Sequence, residues 1–177
     1  MRQPVTAARV EDFMRALGEG VSIPARVFLV GGASAVLLGW RDSTIDIDLK
    51  VLPEQDDLLR QLSVLKERLE INIELAAPDN FIPELPGWED RSQFVRQEAK
   101  LTFLHYDFYA QALAKIERGH EHDLNDIRHM VKTKLVDTRR LLEFFSGIED
   151  DIGKYPALNA SSFRRAVELF VRQNPSE

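Results

Sequence analysis

The feature that most restricts the fold of this chain is a change of hydrophobic period near residue 106. Upstream, Ile45-Asp-Ile-Asp-Leu-Lys-Val51 and Ile71-Asn-Ile-Glu-Leu75 alternate apolar and polar residues, the period of a strand with one dry and one wet face. Downstream, from Phe108 almost to the end, apolar residues recur at helical spacing. Strands first and helices afterwards imply an α+β fold rather than a doubly wound parallel sheet. Residues 1–106 are expected to form an α/β core, a mixed β-sheet with flanking helices. Residues 107–177 are expected to form a helical portion, and 177 residues suit a single compact domain overall.

The elements follow from pattern and punctuation. Val5, Ala8, Val10, Phe13 and Leu17 give a first helix that Gly18 and Gly20 stop. Arg26 to Val30 is a run of β-formers ending on Gly31-Gly32, and Ala33 to Leu38 fits a short buried helix closed by Gly39. Pro53-Glu54 opens a helix through Leu58, Leu62, Leu65 and Leu69. The proline-rich stretch Ala77 to Asp90 reads as loop. Phe94-Val95 and Leu101 to Leu104 read as a hairpin on the sheet edge. Four helices complete the chain: Phe108 to Arg118, Leu124 to Lys134, Thr138 to Phe145 and Ser161 to Val171.

Composition closes several routes. There is no cysteine, so a disulfide framework, a thiolate zinc site and a cysteine nucleophile are excluded. No apolar run approaches the roughly 20 residues of a membrane span, and the start is too charged for a secretory leader, so a cytoplasmic protein without a membrane partner is expected. A net charge of −6 argues against coating nucleic acid by bulk charge, while leaving room for a local basic face.

Two features point to chemistry. Strand geometry puts Asp46 and Asp48 on one face, roughly 6.5–7 Å apart, with Ile45, Ile47 and Leu49 turned into the core. Such a pair reads either as a solvent-facing edge or as oxygen ligands for a hard cation such as Mg²⁺. Gly31-Gly32, between a strand and a short helix, reads either as a plain tight turn or as a place where backbone approaches a phosphate, with Ser34 adding a hydroxyl. It matches neither a Walker A loop nor a dinucleotide fingerprint.

Together the two resemble the signature of the DNA polymerase β-like nucleotidyltransferase superfamily. Val30-Gly31-Gly32 is followed, after a gap of thirteen residues, by Asp46-Ile47-Asp48-Leu49. The segment VGGASAVLLGWRDSTIDIDL is similar to the opening of minimal AbiEii-type nucleotidyltransferases, many of them toxins of toxin–antitoxin pairs. The likeness continues through Lys115 and Arg118 on one helix face and Asp123-Leu-Asn-Asp126 on the next, spanning roughly residues 26 to 130. Without it, Lys115 reads as a solvated residue and Asp123 as a helix N-cap.

The resemblance implies a metal-dependent enzyme moving an NMP from an NTP to an acceptor hydroxyl. Asp46 and Asp48 would bind Mg²⁺ or Mn²⁺, with Glu74 as the third carboxylate and Asp79 as a weaker rival. Gly31, Gly32, Ser34, Arg41 and Thr44 would hold the nucleotide, and Lys115 with Arg118 the triphosphate. The proton acceptor is left open among Asp48, Glu74 and Asp123. The acceptor would be RNA, most plausibly the 3′ end of tRNA, or a protein hydroxyl, and a cognate antitoxin is an implied partner. Two other classes stand beside this reading: a non-catalytic nucleotide-binding domain, and an antitoxin-like interaction protein keeping the fold.

The remaining signals are weaker. His122 and His129 lie two helical turns apart, a spacing that suits solvated or substrate-facing histidines better than a zinc pair. From Lys115 to Arg140, seven Lys/Arg stand against five Asp/Glu, a basic rim able to meet an RNA backbone or simply a mixed solvated face. Trp40 and Trp88 read as packing residues.

Overall fold

In the computed structural model, residues 2–177 are described. The chain divides into two compact units. The first runs up to Ala77 and includes Ser92–Tyr106; the second comprises Pro78–Arg91 and Asp107–Glu177. The chain crosses between the units three times, the last between Tyr106 and Asp107. The proline-rich stretch belongs to the helical unit, an assignment its composition does not announce. It carries a 3₁₀ turn, Pro78–Asn80, and a single helical turn, α4 (Trp88–Arg91), in which Trp88 is buried.

The first unit holds α1 (Ala7–Gly20), β1 (Ala25–Val30), α2 (Gly32–Leu38), β2 (Asp46–Leu52), α3 (Asp56–Arg68), β3 (Asn72–Leu75), β4 (Gln93–Glu98) and β5 (Leu101–His105). Its sheet is mixed, in the order β3-β2-β1-β5-β4. β1 runs antiparallel to β2 and parallel to β5, β3 runs parallel to β2, and β4 pairs antiparallel with β5 as an edge hairpin. Parallel pairing of β2 with β3 needs a crossover, and α3 supplies it. Val10, Phe13, Met14 and Leu17 of α1 and Leu58, Leu62 and Leu65 of α3 pack with Val27, Leu29, Ile47, Leu49, Val51 and Phe103 into one core.

Alternation along β2 is realised, with Ile47, Leu49 and Val51 buried between part-exposed neighbours. Ile45 is a correction: it precedes the strand and is 78% exposed. The chain there is tied by an isolated bridge between Val5 and Thr44, not by the ladder of β2. α3 begins at Asp56, later than the Pro53-Glu54 start, with Asp56 and Asp57 in its first turn where the helix dipole favours acids.

The helical unit adds α5 (Phe108–Arg118), α6 (Glu121–Lys132), α7 (Thr138–Ile148), a 3₁₀ turn Glu149–Lys154 and α8 (Ala160–Gln173). α5 packs against α6, α7 and α8, and Phe145 meets Phe163 with ring centroids 4.9 Å apart. Arg91 donates to the Asp107 carboxylate at 2.8 Å and to the Pro86 carbonyl at 2.8 Å, anchoring the proline-rich segment within this unit. Among the described residues, no helix is long and apolar enough to cross a membrane.

Candidate functional site

The carboxylates of the sheet unit owe their arrangement to register. Asp46 and Asp48 share a face of β2. The parallel pairing sets Asp46 opposite Asn72 and Asp48 opposite Glu74, so the neighbouring strand adds an amide and a third carboxylate to that face. The Asn72 amide donates to Asp46 and, at 2.9 Å, to Glu74. Its orientation is fixed from behind, because Arg2 donates to the Asn72 carbonyl oxygen at 3.1 Å. Neither Asp46 nor Glu74 has an ion-pair partner among the described residues; a neutral amide meets both.

The glycine turn lies beside these acids. Val30 pairs with Asp48 across the antiparallel ladder. Gly31 has φ +60° and ψ −123°, a conformation that a side chain makes strained, and a Cβ built there would lie 3.7 Å from Asp48 Oδ2. Gly32 is glycine for another reason. A Cβ at that position would stand 2.0 Å from Thr44 Oγ1 and 2.6 Å from Thr44 Cβ. The structure therefore gathers Gly31, Gly32, Thr44, Asp46, Asp48 and Glu74. Arg41 follows the α2 C-cap, its backbone N–H turned to the Ala35 carbonyl. Asp79 sits in the 3₁₀ turn of the helical unit.

Ser34 departs from its expected place. Its side chain is fully buried, with Oγ 3.3 Å from the Leu29 carbonyl and 2.8 Å from His105 Nδ1. The hydroxyl is engaged within the interior of the unit. Burial pulls the His105 imidazole down to about 4, so it is neutral at pH 7.

The donor set on the sheet face is all oxygen, the chemistry that Mg²⁺ and Mn²⁺ accept. Among the described residues no three His, Asp or Glu side chains are already grouped as a metal cage.

In the helical unit, the residues carried over by resemblance also converge. Lys115 Nζ donates to Asp123 Oδ1 at 3.1 Å and to Asp126 Oδ2 at 2.8 Å, and Arg118 donates to Asp123 Oδ1 at 2.8 Å. Lys115 is only 4% exposed, so it is a buried ion-paired residue rather than a solvated one. The Arg118 side chain remains about half open to solvent. Burial pushes the Asp123 carboxyl up, but Lys115 and Arg118 beside it prevail and hold it below its ordinary value. Asp123 is not an N-cap: α6 starts at Glu121 with His120 as its cap residue, which puts Asp123 in the first turn. Its Oδ2 is buried without a hydrogen-bond partner. His122 stacks on His120, with centroids 5.7 Å apart.

Asn72 and His105 are functional neighbours that the motifs do not single out. The signal for Asn72 was present, since the alternation that exposes Glu74 exposes Asn72 with it. The partner of His105 lies 71 residues away, and no local pattern reports it.

A cleft of about 620 Å³ is lined by Arg128, Lys132, Lys134 and Arg140 together with Asp137 and Glu177, a mixed face with an excess of basic residues. Arg128 is paired with Glu121, whereas Lys132 and Lys134 have no ion-pair partner among the described residues. Arg140 lies over the Tyr109 ring at 5.2 Å.

No curated protein and no solved structure matches this chain significantly. A family model does match, over residues 8–172, nearly the whole chain and both units. The chain belongs to the family described as a nucleotidyltransferase of unknown function (DUF6036).

Proposed function

We propose that this chain is a metal-dependent nucleotidyltransferase that moves the NMP of an NTP onto an acceptor hydroxyl of RNA, in particular the 3′ end of tRNA. The observation that carries the reading is the register of β2 with its neighbours. It sets Asp48 between the glycine turn and Glu74, with Asp46 on the same face. Asp46 and Asp48 would hold Mg²⁺ or Mn²⁺. When bound, that ion supplies Lewis-acid polarisation of the α-phosphate and a lowered pKa for the attacking hydroxyl.

The chain's own residues account for the rest. Gly31 and Gly32 present bare backbone, so a phosphate approaches without meeting a side chain. Thr44, packed at Gly32, offers a hydroxyl at the same turn. The acceptor oxygen bonds to the α-phosphorus, the bond to the bridging oxygen breaks, and pyrophosphate leaves. We assign the acceptor proton to Glu74, which is exposed and held by the Asn72 amide. Asp123 is the poorer base, because Lys115 and Arg118 hold it in its charged form. Lys115, with two aspartates on its ammonium, is read as the tie between α5 and α6.

RNA as acceptor is supported by the cleft of the helical unit. Lys132, Lys134 and Arg140 bring local positive charge to a chain of net −6, which suits a phosphodiester backbone without favouring indiscriminate binding. The test is incubation of each α-labelled NTP with total tRNA, and with protein alone, in Mg²⁺ or Mn²⁺. Label is expected on the RNA 3′ end and is lost in Asp46→Asn and Asp48→Asn. Label on the protein alone would move the acceptor to a protein hydroxyl. Binding of NTP without transfer to either would make this a non-catalytic nucleotide-binding domain.

A further inference from the structure

The candidate site leaves one buried polar cluster of the sheet unit without a role. β5 runs parallel to β1, and its last residue, His105, stands opposite Leu29. Two residues after Leu29 the chain enters the glycine turn, and Ser34 follows on the first turn of α2. Ser34 Oγ then returns to the Leu29 carbonyl at 3.3 Å, closing a clasp across Gly31-Gly32. His105 Nδ1 meets the same hydroxyl at 2.8 Å, and the Tyr106 N–H meets the same carbonyl at 2.9 Å.

Burial makes this arrangement consequential. Ser34 is 0% and His105 6% exposed, so neither group has bulk water as a substitute partner. A core filled by carbon alone would serve packing equally well. A hydroxyl and an imidazole in contact instead fix orientation, because each must find its partner within the protein. What they orient is the turn, and the turn sets the backbone at Gly31 against Asp48, whose Oδ2 lies 3.7 Å from the Cβ position of Gly31.

We propose that His105 is a positioning residue: through Ser34 it holds the Gly31-Gly32 turn in register with Asp48. The proposal deepens the nucleotidyltransferase reading of that site and rests on it for its catalytic consequence. His105 itself touches neither substrate nor metal in this arrangement. A misplacement of about 1 Å at a reacting centre costs on the order of 10²-fold in rate, which sets the scale expected.

The experiment compares Ser34→Ala, His105→Leu, the double variant and His105→Asn, whose amide reaches the place of Nδ1. Two readouts are taken on each full-length protein: Gly31 and Gly32 amide shifts by NMR, and kcat and KM for nucleotidyl transfer. The expected result is displaced Gly31 and Gly32 amides in Ser34→Ala and His105→Leu. With it goes a kcat loss of roughly 10- to 100-fold at nearly unchanged KM. The double variant should be no worse than the poorer single, and His105→Asn should restore both readouts. Unmoved glycine amides, or multiplying losses in the double variant, or a His105→Asn as poor as His105→Leu, would overturn the proposal. If the parent protein transfers no nucleotide, the enzymatic reading falls by itself, and the glycine amides still decide whether His105 governs the turn.

Discussion

The sheet face and the helical unit each bring acids together, and they settle that charge in opposite ways. In the helical unit Asp123 and Asp126 are buried, with Lys115 between them and Arg118 on Asp123. Two cations answer two anions, the condition under which charges leave water at tolerable cost. On the sheet, Asp46 and Glu74 meet only the neutral amide of Asn72. A cluster whose charge is balanced internally is a tie between helices. Acids met by a neutral amide, as Asp46 and Glu74 are, keep their affinity for an added cation.

The largest expected effect tests the sheet side. Asp48→Asn and Asp46→Asn should each lower nucleotidyl transfer on the order of 10²- to 10³-fold or more. Stability without metal should hold or rise slightly, because like charges on one strand face are removed. Thermal unfolding separates the two properties. Mn²⁺ should raise the midpoint of the parent by linkage and leave Asp48→Asn unmoved. A Mn²⁺ shift that survives in both variants would place the cation elsewhere and dissolve the comparison.

Lys115→Met tests the helical side, and its signature is stability. Removing the cation takes from Asp123 and Asp126 the ammonium they share in the interior, a loss of about 3–5 kcal/mol by urea denaturation. Lys115→Met combined with Asp126→Leu should recover part of that loss, because Arg118 still answers Asp123. A Lys115→Met protein of parental stability would show that the cluster does not hold the helices.

How much of this was legible in the sequence follows from how far apart the causes lie. The dry face of β2 was legible at Ile47 and Leu49, because strand period is a local property. Ile45 was misplaced because the ladder begins one residue later, and a bridge from Val5 sets that end. Glu74 was legible as a wet-face residue, but its place beside Asp48 depends on register, which long-range pairing decides. The need for glycine at position 32 was invisible, since the obstacle is Thr44, beyond the whole of α2. Lys115, Arg118, Asp123 and Asp126 were legible as residues sharing helix faces. Their mutual contact depends on the left-handed Gly119 that turns α5 into α6. The membership of residues 78–91 in the helical unit rests on contacts such as Arg91 with Asp107, which no local composition reports.

His105 sharpens the contrast through pH. Its imidazole sits at about 4 in the folded chain against an ordinary 6.5, so between those values the unfolded chain holds a proton that the folded one lacks. Stability should therefore fall as pH drops from 6.5 towards 4, by about 3 kcal/mol in all, and level off below. Urea unfolding at pH 7, 5.5 and 4.5 should show this slope in the parent and its absence in His105→Asn. The buried Asp123 contributes no loss in that window, because its pKa is lowered and its charge persists there.

The smallest effect comes from making one substitution in both units. At position 32 a methyl group meets Thr44 Oγ1 at 2.0 Å, and Thr44 is tied by backbone hydrogen bonds to Val5 on both its N–H and its carbonyl. Gly32→Ala should cost about 1–3 kcal/mol, the scale of overpacking, and disturb the turn beside Asp48. Gly147 lies within α7, and a Cβ there meets nothing within 4 Å. Gly147→Ala should gain about 0.5–1 kcal/mol, because alanine loses less conformational freedom on entering a helix. Opposite signs in thermal unfolding would show that glycine is demanded by geometry at the sheet's turn and merely tolerated in the helical unit. A neutral Gly32→Ala would mean that Thr44 yields, and the close contact between the turn and its neighbour would lose its claim to set the site.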